Sequence, residues 1–294
     1  MREFRPSMFT ISPAQAEEFH RSGVVLVEHI IPPDEVEVLR ERFERLFRGQ
    51  FETGTMPDEV NWQEDRSDPS RARQICNGWR ADRAIARTVL RQDIARAVAE
   101  LMGWDGARIM QDNVIWKPVD TLSFNYHQDN AYLDWFEPGE ICTVWIALDD
   151  IEAQNGTMEL VPGSHLWGVS EPEGEFHAPE DYRAPMKRRA AELGVHPDIL
   201  HVAVPRGHGS IHHGNIWHGS GPNRGDTPRR SLVIHAMPAE ARYRREGFSR
   251  GNGPVYSRYA RLTSDEMDEN YFPVLWRSDG YRTPGLCRYL EGAP

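Results

Sequence analysis

Apolar residues recur at helical spacing through the first hundred positions and at strand spacing after Gly106. Ser12-Pro13-Ala14-Gln15 joins an N-cap serine, a proline at the first helical position and a capping glutamine, so a helix is expected from there to Gly23. Val24–Val27 reads as a short buried strand. A second helix follows Pro32-Pro33-Asp34, with Val36, Leu39, Phe43 and Leu46 along one face. Residues 49–79 are polar and rich in Gly, Asp and Ser, which predicts loop. Asp82 opens a third helix carrying Ile85, Val89, Leu90, Ile94, Val98 and Leu101 to Gly103. Short β-rich runs then follow near 107–117, 121–129, 140–148, 157–161, 200–204, 208–217 and 229–237, separated by turns such as Asn155-Gly156 and Pro162-Gly163.

That order predicts a mainly β protein with flanking α-helices, a sandwich or jelly-roll barrel buttressed by its N-terminal helices. A single domain is expected over 1–294: helical support over 1–105, a barrel core over 106–240 and a C-terminal cover over 241–294. A charged, proline-bearing insertion at about 169–199, with helix at Pro185–Leu193, is expected to cover the barrel mouth.

The net charge of −11 argues against a surface that tracks nucleic-acid phosphates. No run approaches the ~18 apolar residues that span a bilayer. Met1-Arg2-Glu3-Phe4-Arg5-Pro6 lacks a secretion signal, and Cys76, Cys142 and Cys287 form neither a disulfide framework nor a metal pair. A cytoplasmic location is therefore expected, as monomer or homodimer. Arginine outnumbers lysine 32 to 2, which draws notice to Lys117.

Candidate chemistry sits at Phe124-Asn125-Tyr126-His127-Gln128-Asp129-Asn130. On a strand, His127 and Asp129 point to one face, and an imidazole beside a carboxylate supplies two ligands of a 2-His-1-carboxylate triad. The segment His212-His213-Gly214-Asn215-Ile216-Trp217-His218-Gly219-Ser220 offers another histidine, His218, at a strand end. Eleven residues on, Arg229 enters a strand whose alternation groups Arg229, Ser231, Val233 and His235 on one face. If that face lines the barrel, the guanidinium can grip a carboxylate through two parallel hydrogen bonds.

The layout resembles the phytanoyl-CoA dioxygenase family of iron(II)/2-oxoglutarate oxygenases. The resemblance rests on Gln111–Pro118, His127–Tyr132, Val144–Asp150, Asn155–His165 and Trp217–Asn223 followed by Pro228-Arg229-Arg230, in that order and spacing. It implies a double-stranded β-helix (cupin-like jelly roll) with iron(II) on His127, Asp129 and His218 as the catalytic centre. It further implies 2-oxoglutarate on Arg229 and Ser220, with Trp145, Gln111 and Lys117 lining the co-substrate pocket. Dioxygen would then oxidise a small molecule, by hydroxylation or a related reaction, with release of succinate and CO2. Related halogenases replace the carboxylate, so an intact Asp129 points to oxygenation. Lys117-Pro118-Val119 departs from the proline and glycine common in the family, near the substrate. A non-catalytic jelly-roll binder or sensor, and a cupin-type metalloenzyme not using 2-oxoglutarate, are the alternatives.

Other residues have plainer readings. His212 and His213 face opposite ways on a strand and are expected to be structural or to support the metal ligands. His165 reads as a turn residue, and Asp149 and Asp150 as capping or turn residues. Tyr132, Trp135 and Phe136 fit a substrate wall or an aromatic core equally well. Few lysines and an acidic surface lean against an acyl-CoA substrate.

Overall fold

The computed structural model describes residues 9–244 and 253–292; within the expected C-terminal cover, 245–252 and 293–294 lie outside the described residues, as does the segment Met1-Pro6. The expected capping box closes helix α1 (Pro13–Ser22) at one end, and Gly23 at φ 76° ends it at the other. Strand β1 (Val24–Val27) and helix α2 (Pro33–Phe47) follow as predicted. Residues 49–79 depart from the loop reading: they hold β2 (Glu59–Val60) and β3 (Arg73–Cys76). The third helix is two, α3 (Arg83–Val89) and α4 (Gln92–Met102). The break falls at Arg91, whose backbone is extended and whose guanidinium reaches the Ile30 carbonyl at 2.7 Å.

The later strands are β4 (Gly106–Lys117), β5 (Phe124–His127), β6 (Phe136–Glu137), β7 (Cys142–Ala147), β8 (Met158–Leu160), β9 (Leu200–His201), β10 (Gly209–His213), β11 (His218–Ser220), β12 (Arg229–Pro238), β13 (Arg242–Tyr243) and β14 (Val274–Arg277). Helix α5 (Ala184–Leu193) stands in the insertion, and α6 (Gly253–Tyr256) and α7 (Leu286–Glu291) near the C-terminus. A large antiparallel sheet runs β1-β10-β7-β12-β4-β3-β2, with β14 added to β4. A smaller sheet runs β5-β11-β8-β9, and the two face each other as a jelly roll. Among the described residues no helix is long and apolar enough to cross a membrane.

Alternation on β12 decides what each side of the large sheet does. Leu232, Ile234 and Ala236 point outward into a core shared with Leu39, Phe43, Ile85, Val98 and Ile146. Val233 points inward with Trp145, Met158, Leu160 and Ile216. Burial of the outward apolar face under four helices is the main stabilising contribution, since apolar area removed from water contributes about 25 cal/mol per Å². Gly209 lets β10 close on β7: a Cβ there would lie 1.9 Å from the Trp145 carbonyl oxygen.

The insertion runs beside β5. The Asn125 amide donates to Phe176 O at 2.9 Å, the Ala178 amide to Ser123 O at 2.9 Å, and the Tyr126 amide to Tyr182 O at 2.8 Å. Asp149 is not the capping residue expected: it forms a buried, two-armed ion pair with Arg230 at 2.7 and 3.0 Å. Asp150 does accept the Arg206 amide in a turn. Trp135 and Phe136 belong to an aromatic core with Tyr243, Tyr256 and Phe272, whereas Tyr132 faces the cavity between the sheets.

Candidate metal and co-substrate site

The end of β5, the 3₁₀ turn after it and the start of β11 bring His127, Asp129 and His218 together, with one donor atom from each lying within 4.8 Å of the others. Asp129 Oδ1 stands 3.4 Å from His127 Nε2 and 3.5 Å from His218 Nε2. Each imidazole is oriented by its other nitrogen: His127 Nδ1 lies 2.9 Å from Asn125 O and His218 Nδ1 3.1 Å from Ile216 O. A carbonyl only accepts, so Nδ1 carries the proton and both Nε2 lone pairs face the shared space. Burial pulls His218 well below the usual imidazole range, aided by the neighbouring His127. Burial alone would raise Asp129, but the imidazoles around it outweigh that and hold its carboxyl well below the usual range. Two neutral imidazoles and one ionised carboxylate are the protonation states that bind a divalent cation without first losing protons.

Asp129 Oδ2 is held separately. Thr143 Oγ1 donates to it at 2.8 Å, and His235 Nδ1 meets the same hydroxyl at 2.9 Å. A hydroxyl has one proton, so His235 donates from Nδ1 and accepts the Asn113 Nδ2 proton at Nε2, 2.9 Å away. These three inward residues come from β4, β7 and β12, and the register pairs His235 with Thr143 directly. His212 Nε2 lies 3.8 Å from Asp129 Oδ2, the residue is 1% exposed, and among the described residues neither ring nitrogen has a hydrogen-bond partner. His213 turns away, its Nδ1 accepting the Asn215 amide at 3.0 Å. His165 lies in the short 3₁₀ turn Ser164–Leu166, away from the triad.

Deeper in the same cavity, β12 and β4 set Arg229 opposite Lys117. Arg229 is 2% exposed, and its Nε and Nη1 have no acceptor among the described residues. Burial lowers its pKa to about 10, so the guanidinium stays charged at neutral pH. Its Cζ sits 5.2 Å from the Trp145 ring centroid. Lys117 is fully buried, donates to Ser220 Oγ at 2.9 Å and to Gly221 O, and is pulled well below the usual lysine range by burial and then by Arg229. Buried guanidinium N–H groups without acceptors are rare and costly, and an anionic acceptor such as a carboxylate is the group that answers such a charged donor. Seven of the eight site candidates, His127, Asp129, His218, Arg229, Ser220, Trp145 and Gln111, line one cavity of about 390 Å³; Lys117 does not line it as expected, but lies buried behind the wall and bonds Ser220. Thr143, Asn113 and the lid pair Phe176 and His177 were not singled out from sequence. The Phe176 ring lies 4.9 Å from the His127 ring, edge to face.

Fold and site together define a jelly-roll protein with a facial set of two imidazoles and a carboxylate beside a buried guanidinium. The chain belongs to the phytanoyl-CoA dioxygenase (PhyH) family, whose profile matches residues 19–231. Among curated relatives, it is 24% identical over 274 residues to phytanoyl-CoA dioxygenase domain-containing protein 1 of Mus musculus, covering 79% of this chain and 92% of that one. It is 22% identical over 266 residues to the peroxisomal phytanoyl-CoA dioxygenase of Bos taurus, covering 83% and 75%. Among solved structures, the non-heme alpha ketoglutarate dependent carbocyclase SnoK from nogalamycin biosynthesis superposes with a TM-score of 0.69 at 22% identity, over 92% of this chain and 99% of that one. EctD from S. alaskensis, solved with 2-oxoglutarate and 5-hydroxyectoine, gives 0.62 at 21% identity, over 82% and 83%.

Proposed function

We propose that the chain is an iron(II)- and 2-oxoglutarate-dependent oxygenase in which His127, Asp129 and His218 hold the metal and Arg229 holds the distal carboxylate of 2-oxoglutarate. The carrying observation is the buried Arg229 guanidinium, whose Nε and Nη1 have no acceptor among the described residues, in the cavity that the triad also faces. Bound iron, 2-oxoglutarate and dioxygen supply the oxidising power, with release of succinate and CO2; the protein supplies position and exclusion of water.

Its residues divide that work. The Nδ1–H groups of His127 and His218, fixed on backbone carbonyls, keep both Nε2 atoms aimed at one point. Thr143 takes Asp129 Oδ2, leaving Oδ1 for the metal. Arg229 and Trp145 form a charged, flat-walled end for the dicarboxylate, and Lys117 holds Ser220 against that end. Phe176 and Tyr132 close over the His127 ring and keep bulk water from the small molecule being oxidised. Another cupin-type metalloenzyme would leave Arg229 without an acceptor.

Anaerobic addition of iron(II) and 2-oxoglutarate is expected to give a visible charge-transfer band, and admission of air is expected to give succinate. Asp129→Ala loses both. Arg229→Gln keeps metal binding and raises the KM for 2-oxoglutarate about 100-fold, the scale for unpairing a buried charge. Arg229→Lys does not rescue it, because an ammonium lacks the planar fork. Unchanged succinate formation in Asp129→Ala overturns the assignment.

A further inference from the structure

The cavity is electrically divided, and the end away from Arg229 has had no role so far. Its wall is built by β2, β3 and β4, whose register sets Glu59 beside Cys76 and Cys76 beside Asn113. Strands lie about 4.8 Å apart, so Glu59 stands roughly 10 Å beyond Asn113, the residue bonded to His235 beside Asp129. Every amide on this wall is engaged. Gln74 Nε2 and Gln111 Nε2 both donate to Asn113 Oδ1, at 3.1 and 3.0 Å. Asn61 Nδ2 donates to Gln74 Oε1 at 3.1 Å and meets His177 Nε2 of the lid at 3.2 Å.

Glu59 differs from these neighbours. It is half-buried in the cavity wall, and among the described residues no cation lies within ion-pairing distance of it. The guanidinium groups nearby are spoken for: Asp58 takes Arg258 at 2.7 Å and Arg80 at 2.7 Å, with Tyr259 on the same oxygen. The neighbour evident for Glu59 is the Cys76 thiol, a weak donor whose single proton is also directed at Asn113 Oδ1, 3.0 Å from the sulfur. A carboxylate withdrawn from water with no cation is unfavourable, and in a cleft it marks a place where a ligand completes the pair. Besides this polar wall, the cavity that Glu59 shares with the triad is lined by the apolar side chains of Met110, Leu133, Ile141, Phe176 and Val255.

We infer that Glu59 is the specificity-determining residue for a small substrate carrying a basic nitrogen, an amine or guanidine, on a compact apolar body. The inference rests on the oxygenase reading given above. The ammonium or guanidinium pairs with Glu59, the apolar body lies along Leu133, Ile141 and Phe176, and the carbon to be oxidised faces the triad. Opposite polarity at the two ends keeps the two ligands apart: 2-oxoglutarate is repelled from Glu59 and drawn to Arg229, and a basic substrate experiences the reverse. Anionic substrates are disfavoured at the Glu59 end.

The test uses three probes of one skeleton, 3-phenylpropylamine, 3-phenylpropanol and 3-phenylpropanoate, titrated calorimetrically into full-length protein loaded with nickel(II) and 2-oxoglutarate. The amine is expected to bind about 10-fold more tightly than the alcohol, the scale for a partly screened charge pair, and the carboxylate more weakly than either. Glu59→Gln removes the amine's advantage and Glu59→Asp retains part of it, while the alcohol's affinity reports in each variant whether the cavity is intact. Equal binding of the three probes by the wild type, or an amine preference that survives Glu59→Gln, overturns the inference. Binding of 2-oxoglutarate is measured first: its absence in the wild type sinks the oxygenase reading and this inference with it, whereas its presence with no amine preference sinks this inference alone.

Discussion

Thr143 shows how one hydroxyl sets the geometry of a carboxylate. It gives its only proton to Asp129 Oδ2 and receives one from His235, so the carboxylate cannot swing both oxygens toward the triad without breaking a 2.8 Å bond. Thr143→Val keeps the side chain's shape and deletes the donor. Manganese(II) affinity of the metal-free protein is expected to fall about 10-fold, the usual scale for losing a group that orients a ligand. Secondary structure by circular dichroism is expected to stay unchanged, which separates the effect from misfolding. Unaltered manganese affinity removes Thr143 from this role. His212 is the neighbouring puzzle: among the described residues neither ring nitrogen has a hydrogen-bond partner, and Nε2 stands 3.8 Å from the same oxygen, too far for a hydrogen bond.

At the scale of elements, Asp112 ties the large sheet to the helical layer. It lies on the outward face of β4 and accepts the Trp79 and Gly78 amides at 3.0 and 3.1 Å, which anchors the 3₁₀ turn Gly78–Arg80. Burial raises its pKa to about 7 despite those two bonds. The unfolded carboxyl titrates near 4, so the raised folded pKa favours the native state below that value and the advantage is lost as pH rises through about 7. Between pH 5 and 8 the wild type should lose a few kcal/mol relative to Asp112→Asn, which has no proton to lose there. Parallel Tm curves for the two proteins across that range would contradict this account.

The same scale marks where sequence reading succeeds and where it stops. Strand β12 is legible because the outward run Leu232, Ile234 and Ala236 is apolar while Arg229, Ser231 and His235 on the inward face are polar, so period-two alternation separates Arg229 and His235 from Leu232 and Ile234 despite Val233 and Arg230. The His127 and Asp129 pair is legible from its spacing across the extended Gln128, although the strand ends at His127 and Asp129 opens a 3₁₀ turn instead of continuing it. Strand β3 is not: Gln74 faces a polar cavity, and Arg73 is sandwiched between Trp62 and Trp116 at 3.9 and 4.5 Å, so its apolar signal reduces to Ile75 and Cys76. The α3–α4 break is hidden because apolar residues line both sides of it, and the extended backbone at Arg91 answers to a distant carbonyl. Convergence of Asn113, His235 and Thr143 depends on register across three strands far apart in the chain, which no local pattern carries.

For the molecule as a whole, the barrel strands and the insertion beside β5 differ in how their backbones are held. Strand β7 lies inside the large sheet, paired on both sides by β10 and β12. The stretch from Phe176 to Tyr182 is joined to β5 through backbone bonds at Asn125, Tyr126 and Ala178. Regions tied by few bonds open without global unfolding. The Ala178 amide is therefore expected to exchange with deuterium on the order of 100-fold faster than the Val144 amide. Equal rates at the two amides would make lid and barrel a single cooperative unit.

The lid's attachment to β5 has a mechanical consequence. Residues 123–126 carry that segment's backbone bonds, and the very next residue is His127, whose strand neighbour is His218 on β11. An outward swing of that segment to discharge product would therefore loosen the post on which one imidazole hangs, so the moment of release would also be the moment when the centre is most exposed to losing its ion.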